Sequence, residues 1–290
     1  MATADLALPA PRRLLGRLSG YPPLVVVCGG LIAVLLVVAI AAPLIAPYGY
    51  ADQQPLLRLK GPSILGYDSP FLLGSDHLGR DMLSRTIYAI RFSILVAFLA
   101  TVIGAVLGVA SGMLAARLRG WWDETIMMVV DIQASLPFII FALTIVGFFG
   151  KSLVLLIFVI GFAGWDRYAR LARGLVLDAE TRGYADALRA LGANTPRIYL
   201  RHILPNIAGA LLVQMTLNFP ETVLLETGLS FLGMGVQPPL TSLGLLVNDS
   251  RNYIVNAWWM AAVPSAVIVL TTLSASIVGD WLRDRLTGES

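Results

Sequence analysis

Three polar side chains stand at helical spacing inside an otherwise apolar run. Gln214, Asn218 and Glu221 fall at positions i, i+4 and i+7, which share one face of an α-helix. Polar groups are costly against lipid, so in a membrane helix such a stripe faces protein or water. The stripe predicts either the wall of a path across the membrane, where Glu221 would meet an ammonium group, or interhelical hydrogen bonds that fix an interface.

A second carboxylate, Glu226, lies at the outer end of the same run and on a different part of the helix surface. Its position suits a local cap or an interface as well as it suits a path. Glu221 and Glu226 together leave open an ion- or proton-coupled secondary transporter in which both carboxylates titrate.

The sequence offers little support for a set of catalytic residues. Ser75, Asp76 and His77 are adjacent, and three neighbouring residues do not converge as a catalytic triad does, so we interpret Ser75 or Asp76 as a helix cap. The chain has two histidines and one cysteine, which disfavours a His/Cys metal site. We therefore predict no catalytic residue and no bound metal, and a site for an ion held by carboxylates alone is the alternative left open. A membrane-embedded enzyme is the least favoured class.

The tripeptide Gly150–Ser152 imitates the end of a phosphate-binding loop. The first glycine of such a loop belongs at position 145, which is Ile145, and the tripeptide lies between two apolar runs rather than between a strand and a helix. The chain is therefore expected to bind no nucleotide cofactor itself. If ATP drives its function, a partner must bind the ATP and its magnesium ion.

The elements that must position these residues are membrane helices. Of the 290 residues 57% are hydrophobic and 13% are charged, whereas soluble domains carry about 25% charged residues. A span needs about 20 mostly apolar residues, and the sequence predicts six spans in an all-α polytopic fold. These are 24–45, 93–116, 125–149, 152–164 continued into the next ten residues, 207–227 and 257–281.

Charge predicts the orientation of the spans. With both termini inside, the inner segments hold 14 of the 21 lysines and arginines, which favours cytoplasmic termini. We predict one transmembrane domain over 1–290: a cytoplasmic N-terminus (1–23), a first span and outer segment (24–92), the other five spans (93–281) and a cytoplasmic tail (282–290). Within the outer segment, residues 82–91 predict an interfacial helix that precedes the second span.

Proline and aspartate mark the third predicted span. Pro137 permits a kink in the helix. Asp131, which is a carboxylate early in a span, is expected to face protein.

The largest inner loop, 165–206, contains "RGYADALRALGANTPRIYLRHILPN". Tyr184, Ala187, Leu188 and Leu191 recur at helical spacing and predict a short amphipathic helix. Gly192 is then expected to end that helix in the left-handed conformation.

A second short helix is predicted to follow, with Thr195 as its N-cap and Pro196 in its first turn. The next span begins directly after Pro205, so a push on this elbow would move the span. The alternative is a basic hairpin that lies on anionic headgroups.

This loop resembles the cytoplasmic motif of ABC-importer permeases, whose pattern is Glu-Ala-Ala, three residues, Gly and, about ten residues later, Leu-Pro. Ala187, Gly192, Leu204 and Pro205 fit, whereas Asp186 replaces the usual Glu and Leu188 the second Ala. The resemblance implies a coupling helix that docks in a cleft of an ATPase subunit. The residues assigned to the coupling loop are Tyr184, Ala185, Asp186, Ala187, Leu188, Arg189, Leu191, Gly192, Ala193, Leu204 and Pro205.

Four further stretches are similar to the dipeptide/oligopeptide/nickel importer permeases, of the second of their two paired types. They are "LLGSDHLGRDMLSRTIYAIRFS", "GWWDETIMMVVDIQASLPF", "LSFLGMGVQPP" and "GDWLRDRL". The resemblance implies a five-helix core preceded by one N-terminal span, a second homologous permease, two ATPases and an external solute-binding protein, in a bacterial inner membrane and without nucleic acid. It implies peptide cargo first, with nickel chelates and glutathione as the other cargoes of the family.

Overall fold

The computed structural model describes residues 22–181, 190 and 192–287. In chain order its helices are α1 (Pro23–Ile45), α2 (Met82–Leu118), α3 (Gly120–Ser135), α4 (Phe138–Phe149), α5 (Leu153–Gly161), α6 (Trp165–Thr181), α7 (Thr195–Ile198), α8 (Leu204–Phe231), α9 (Leu243–Ser250) and α10 (Trp259–Thr287). A π-helical turn, Tyr199–Ile203, joins α7 to α8. Two 3₁₀ turns, Pro55–Leu57 and Ser63–Leu65, lie between α1 and α2.

The predicted all-α membrane fold is confirmed. Within the described residues α1, α2, the joined α7–α8 rod and α10 are each long and apolar enough to cross a bilayer, and α3 with α4 makes a fifth if the pair is one span. The predicted span at 152–164 differs from expectation, because the helix breaks at 162–164 between the nine-residue α5 and the more polar α6. A sixth crossing through this broken pair stays a prediction.

The expected interfacial helix before the second span is wrong. Residues 82–91 are the first turns of α2, which continues unbroken to Leu118. Asp81 caps the helix by accepting a hydrogen bond from the backbone N–H of Ser84 at 2.8 Å. Arg85, a charged residue of the predicted interfacial helix, is buried because Asp76 and Asp249 pair with it.

Pro137 produces the predicted kink. The residue before a proline is disfavoured in the α region, and Leu136 is extended between α3 and α4. The two helices meet at 90°. Asp131 pairs with an arginine of α6, as the expectation that it faces protein requires, and 69% of its side chain is exposed in this chain.

The centre of the fold is α2, and three apolar clusters surround it. One joins α2 to α6 and to the start of α8, the second joins α2 to α5, and the third joins α2 to α1 and α10. The side chains of α1 that point away from α2 are apolar and exposed, for example Val27, Ile40 and Leu44. An apolar exposed face is what a helix presents to lipid.

The outer segment between α1 and α2 is fastened by one buried carboxylate. Asp76 is fully buried and accepts a hydrogen bond from Arg80 Nε and from Arg85 Nη1, both at 2.6 Å. Arg85 also reaches Asp249 of α9 at 3.1 Å. Burial raises the pKa of Asp76, but the guanidinium groups of Arg85 and Arg80 outweigh burial and hold the pKa below its ordinary value.

Candidate functional site

The predicted polar stripe lies on α8. Asn218 is buried, and Gln214 Nε2 lies 3.5 Å from Asn218 Oδ1, one helical turn away. Glu221 is half exposed. The structure therefore brings the three predicted residues together on one face, as the spacing indicated.

Arg167 completes this cluster, although it lies on another helix and outside the predicted stripe. Its Nη1 donates to Asn218 Oδ1 at 2.9 Å, and its Nη2 donates to Glu221 Oε1 at 2.7 Å. Nη1 also donates to Glu221 Oε2, so the guanidinium and carboxylate form a bidentate pair. We call Gln214, Asn218, Glu221 and Arg167 the charged cluster.

The arginines of α6 stand three residues apart, and each pairs with an acid. Arg170 donates to Asp131 Oδ1 at 2.8 Å and to Asp166 Oδ2 at 2.5 Å. Arg173 holds Asp123 with two hydrogen bonds of 2.6 Å. The polar face of α6 is thus tied to α3 through Arg170 and Arg173 and to α8 through Arg167.

The opposite face of α6 packs on α2 with very little space. A Cβ added at Gly108 would lie 2.2 Å from the carbonyl oxygen of Trp165, and one at Gly112 would lie 2.2 Å from that of Ala169. A Cβ at Gly104 would meet the carbonyl oxygen of Gly161 at 2.6 Å. The Gly-x₃-Gly-x₃-Gly spacing was the available sequence signal for this contact, because small residues let membrane helices approach closely.

The charged cluster lies beside the break between α5 and α6. The chain turns at 162–164 before α6 begins at Trp165. Gly164 is so close to α8 that a Cβ there would lie 2.8 Å from Asn218 Nδ2. Irregular backbone within a membrane protein is tolerated where protein covers it or water reaches it. The charged cluster therefore lies directly beside the break between α5 and α6.

The inner elbow is described only in part. Tyr184, Ala185, Asp186, Ala187, Leu188, Arg189 and Leu191 lie outside the described residues. Gly192 has φ +82°, which confirms the predicted left-handed turn. The expected N-cap is wrong by one residue: Asn194, not Thr195, accepts a hydrogen bond from the backbone N–H of Arg197. Ala193 precedes this cap, and Leu204 and Pro205 open α8.

The second short helix of the elbow is part of α8 rather than a separate element. Residues 195–231 form one helical rod with a π turn near its inner end. Ile198 and Ile203 are fully buried against α2 and α6. Tyr199 Oη donates to Glu180 Oε1 at 2.8 Å, and Glu180 also accepts from Arg119. The base of the rod is thus packed and hydrogen-bonded to the end of α6.

Glu226 does not belong to the charged cluster; it holds parts of the fold together through hydrogen bonds. It is fully buried, and it accepts hydrogen bonds from Ser93 Oγ at 2.9 Å and from Ser230 Oγ at 2.6 Å. Ser93 Oγ in turn accepts from the backbone N–H of Leu243, and Ser230 Oγ from that of Val236. Through these two serines, one carboxylate ties α8 to α2, to the loop at Val236 and to the start of α9 at Leu243.

Within the described part of the chain, no three His, Cys, Asp or Glu side chains form a group that would hold a metal ion. Ser75, Asp76 and His77 also do not assemble a nucleophile and base. Ser75 Oγ donates to the Leu57 carbonyl at 2.5 Å, and the His77 ring stacks on Tyr253. These residues hold the outer segment in place.

Comparison with known proteins shows two family models that match this chain. The family described as "Binding-protein-dependent transport system inner membrane component" matches residues 104–288. The family described as "N-terminal TM domain of oligopeptide transport permease C" matches residues 23–62. The match thus covers the helical core and, separately, α1 with part of the outer segment.

Three relatives align over most of their length. The di/tripeptide transport system permease protein DppC of Pseudomonas aeruginosa is 39% identical over 89% of this chain and 86% of its own. The oligopeptide transport system permease protein OppC of Bacillus subtilis is 34% identical over 89% and 83%. The glutathione transport system permease protein GsiD of Pectobacterium atrosepticum is 33% identical over 90% and 86%.

A solved structure shares the fold. A chain of the MetNI methionine ABC transporter, in an inward-facing conformation, superposes with a TM-score of 0.59. The superposition covers 70% of this chain and 96% of that one, at 21% sequence identity. The arrangement of the core helices is therefore that of a known transporter fold.

Proposed function

The chain belongs to the family of binding-protein-dependent transport system inner membrane components, and from this premise we propose that it forms half of the translocation path of an ATP-driven peptide importer. As a member of this family it is a membrane transport subunit and not an enzyme. The observation that carries the proposal is the α7–α8 rod, because the rod joins the inner elbow directly to the charged cluster.

The partners follow from this role. A second, homologous permease would supply the other half of the path, two ATPase subunits would bind ATP and magnesium, and an external solute-binding protein would deliver the cargo. The chain would lie in a bacterial inner membrane with both termini in the cytoplasm. The arginines near its predicted inner ends support this orientation.

Peptides are the proposed cargo. The relatives from Pseudomonas and Bacillus are named as di/tripeptide and oligopeptide permeases, and the relative from Pectobacterium is named as a glutathione permease. Glutathione is itself a small peptide-like molecule, so short peptides are the class that these names share. Nickel chelates are the alternative within the wider family.

The elbow is the proposed coupling element. Its residues 184–189 and 191–193 would dock on an ATPase, and Leu204 and Pro205 would carry the motion into α8. Gly192 supports this role, since its φ of +82° sets the direction in which the chain enters Asn194 and α7.

The first test is a purification in mild detergent with identification of bound proteins by mass spectrometry. We expect the wild-type chain to bring a second permease and two ATPases. Gly192→Leu should lose the ATPases, because a β-carbon disfavours a positive φ and would turn the docking segment away. Gly150→Leu is the matched control. Like Gly192, Gly150 has a positive φ (+87°) and no atom within 4 Å of an added Cβ. Gly150 lies at the α4–α5 turn rather than in the elbow, so this variant should keep the ATPases.

Two results would count against this role. Retention of both ATPases by Gly192→Leu, at the level of Gly150→Leu, would remove the elbow from the coupling mechanism. A wild-type chain that purifies alone and moves solute in response to an ion gradient would favour the secondary transporter.

Gln214, Asn218 and Glu221 are the proposed path residues. Glu221→Gln should lower peptide uptake by reconstituted vesicles about ten-fold, because it removes a charge-assisted contact. It should leave assembly intact, since the amide retains the shape of the side chain and Glu221 is half exposed. Uptake at the wild-type rate, measured with labelled dipeptide, would remove Glu221 from the path.

A further inference from the structure

We propose that Arg167 and Glu221 form a binding site for the two charged ends of a short zwitterionic peptide, an inference that rests on the proposed importer function. Glu221 would take the terminal ammonium group and Arg167 the terminal carboxylate. In the described conformation Arg167 and Glu221 are paired with each other, so neither is available to a peptide.

The depth of the pair supports a role beyond packing. Glu221 lies 17 residues from the inner end of α8 and 10 from its outer end, which corresponds to about 25 Å and about 15 Å along the helix. Arg167 is the third residue of α6, directly after the helix break. Glu221 therefore lies well inside the predicted fifth span. Arg167, which the sequence assigned to the inner loop 165–206, lies at the same level because it is hydrogen-bonded to Glu221. Broken helices form solute sites at such depth in other transporters.

Exposure distinguishes this pair from the buried pair of the outer segment. The side chains of Arg167 and Glu221 are 45% and 49% exposed in this chain, whereas those of Arg85 and Asp76 are 3% and 0% exposed. Charges at such depth do not face lipid without a large cost. A water-filled path along this surface accounts for both the depth and the exposure.

The chemistry of the pair matches both ends of a peptide. A guanidinium group binds a carboxylate with two parallel hydrogen bonds, and the start of α6 adds a partial positive charge at the same place. The carboxylate of Glu221 accepts hydrogen bonds from an ammonium group in the same way. Exchange of the internal pair for a zwitterion leaves the net charge of the site at zero, so no unpaired charge is created in the membrane.

The size of the cargo sets a condition on binding. An extended dipeptide is about 7 Å long, whereas Arg167 Nη2 and Glu221 Oε1 are 2.7 Å apart. The peptide ends therefore enter only when α6 and α8 separate at this level. A peptide with one blocked end would leave either Arg167 or Glu221 without a partner.

The test uses vesicles that contain the complete transporter and its binding protein, with each peptide at a concentration that saturates the binding protein. The probes are Ala-Ala, N-acetyl-Ala-Ala and Ala-Ala-amide. In Glu221→Gln, we expect the ratio of Ala-Ala uptake to N-acetyl-Ala-Ala uptake to fall about ten-fold, while the ratio of Ala-Ala uptake to Ala-Ala-amide uptake stays as in the wild type. In Arg167→Gln, we expect the second ratio to fall about ten-fold and the first to stay unchanged. The binding protein is the same throughout, so its own selectivity cancels between variants.

Two further variants separate recognition from structure. The double variant Arg167→Gln with Glu221→Gln contains no uncompensated charge, and it should transport free and blocked peptides alike. Arg170→Gln removes a similar ion pair one turn along α6 and should leave both preferences as in the wild type.

Equal loss of all three peptides in Arg167→Gln and Glu221→Gln, with ATPases still bound, would overturn the zwitterion site and leave the importer function standing. A wild-type transporter that assembles but moves none of the peptides would instead overturn the proposed cargo, and the zwitterion site with it.

Discussion

A chain that carries Gly108→Leu is expected to lose the packing of α6 on α2 and to fail in assembly. The first carbon of the new side chain would lie 2.2 Å from the carbonyl oxygen of Trp165, 2.5 Å from Tyr168 Cβ and 3.0 Å from the backbone nitrogen of Ala169. Two of these atoms belong to the backbone, so no side-chain rotation relieves the overlap. We place the cost at or above the upper end of the roughly 1–3 kcal/mol that is usual for overpacking.

The expected loss is measured as the folded fraction in a denaturing-detergent titration and as the amount of ATPase that copurifies. Gly30→Leu is the control, because Gly30 lies in the predicted first span and nothing is within 4 Å of its added Cβ. If Gly108→Leu is as stable as Gly30→Leu, the close approach of α2 and α6 is not required for folding.

Asp76→Ala is expected to release the outer segment from α2. The change would leave Arg85, whose side chain is 3% exposed, with only Asp249 as a carboxylate partner within salt-bridge distance among the described residues. Removal of one member of a buried ion pair costs roughly 3–5 kcal/mol, because the remaining charge stays buried. Asp68→Ala is the control, since Asp68 is an exposed acid of the same segment.

Limited proteolysis of the outer segment in spheroplasts measures this release and its pH dependence. The pKa of Asp76 in the folded chain lies below the ordinary value of 3.8. The carboxylate therefore stabilises the wild type fully above about pH 4, and this stabilisation is lost as the pH falls further. The wild type and Asp68→Ala should resist protease at neutral pH, whereas Asp76→Ala should be cleaved. Resistance of Asp76→Ala at neutral pH would contradict the fastening role of Asp76.

Periodicity predicted the polar stripe because its three members belong to one helix. Arg167 belongs to a different helix, and single-helix spacing carries no information on which helices meet. The three-residue spacing of Arg167, Arg170 and Arg173 indicated only a charged face. The acids that neutralise this face come from α3, α6 and α8.

The same limit explains the misread start of α2. Ser84 and Arg85 are polar residues of the predicted interfacial helix at 82–91, and polar residues of such a helix are expected on its solvent side. Both are buried, since Asp81, Asp76 and Asp249 supply the hydrogen bonds that water would otherwise supply. Side-chain contacts decided this boundary, and one of them joins Arg85 to Asp249, which is distant in sequence. The kink at Pro137 and the turn at Gly192 followed from local backbone chemistry and were predicted.

In the proposed mechanism, the continuous rod from Thr195 to Phe231 would act as a lever. Glu221 lies 26 residues from its inner end, or about 40 Å away. A tilt of the rod about that end, relative to α6, displaces Glu221 by about 0.7 Å per degree at this radius. About 15° would open the 2.7 Å contact with Arg167 to about 13 Å, which is the length of an extended dipeptide plus one hydrogen bond at each end. In the proposed mechanism, a rotation of this size at the elbow end of the rod would therefore exchange an internal ion pair for a cargo molecule at Glu221.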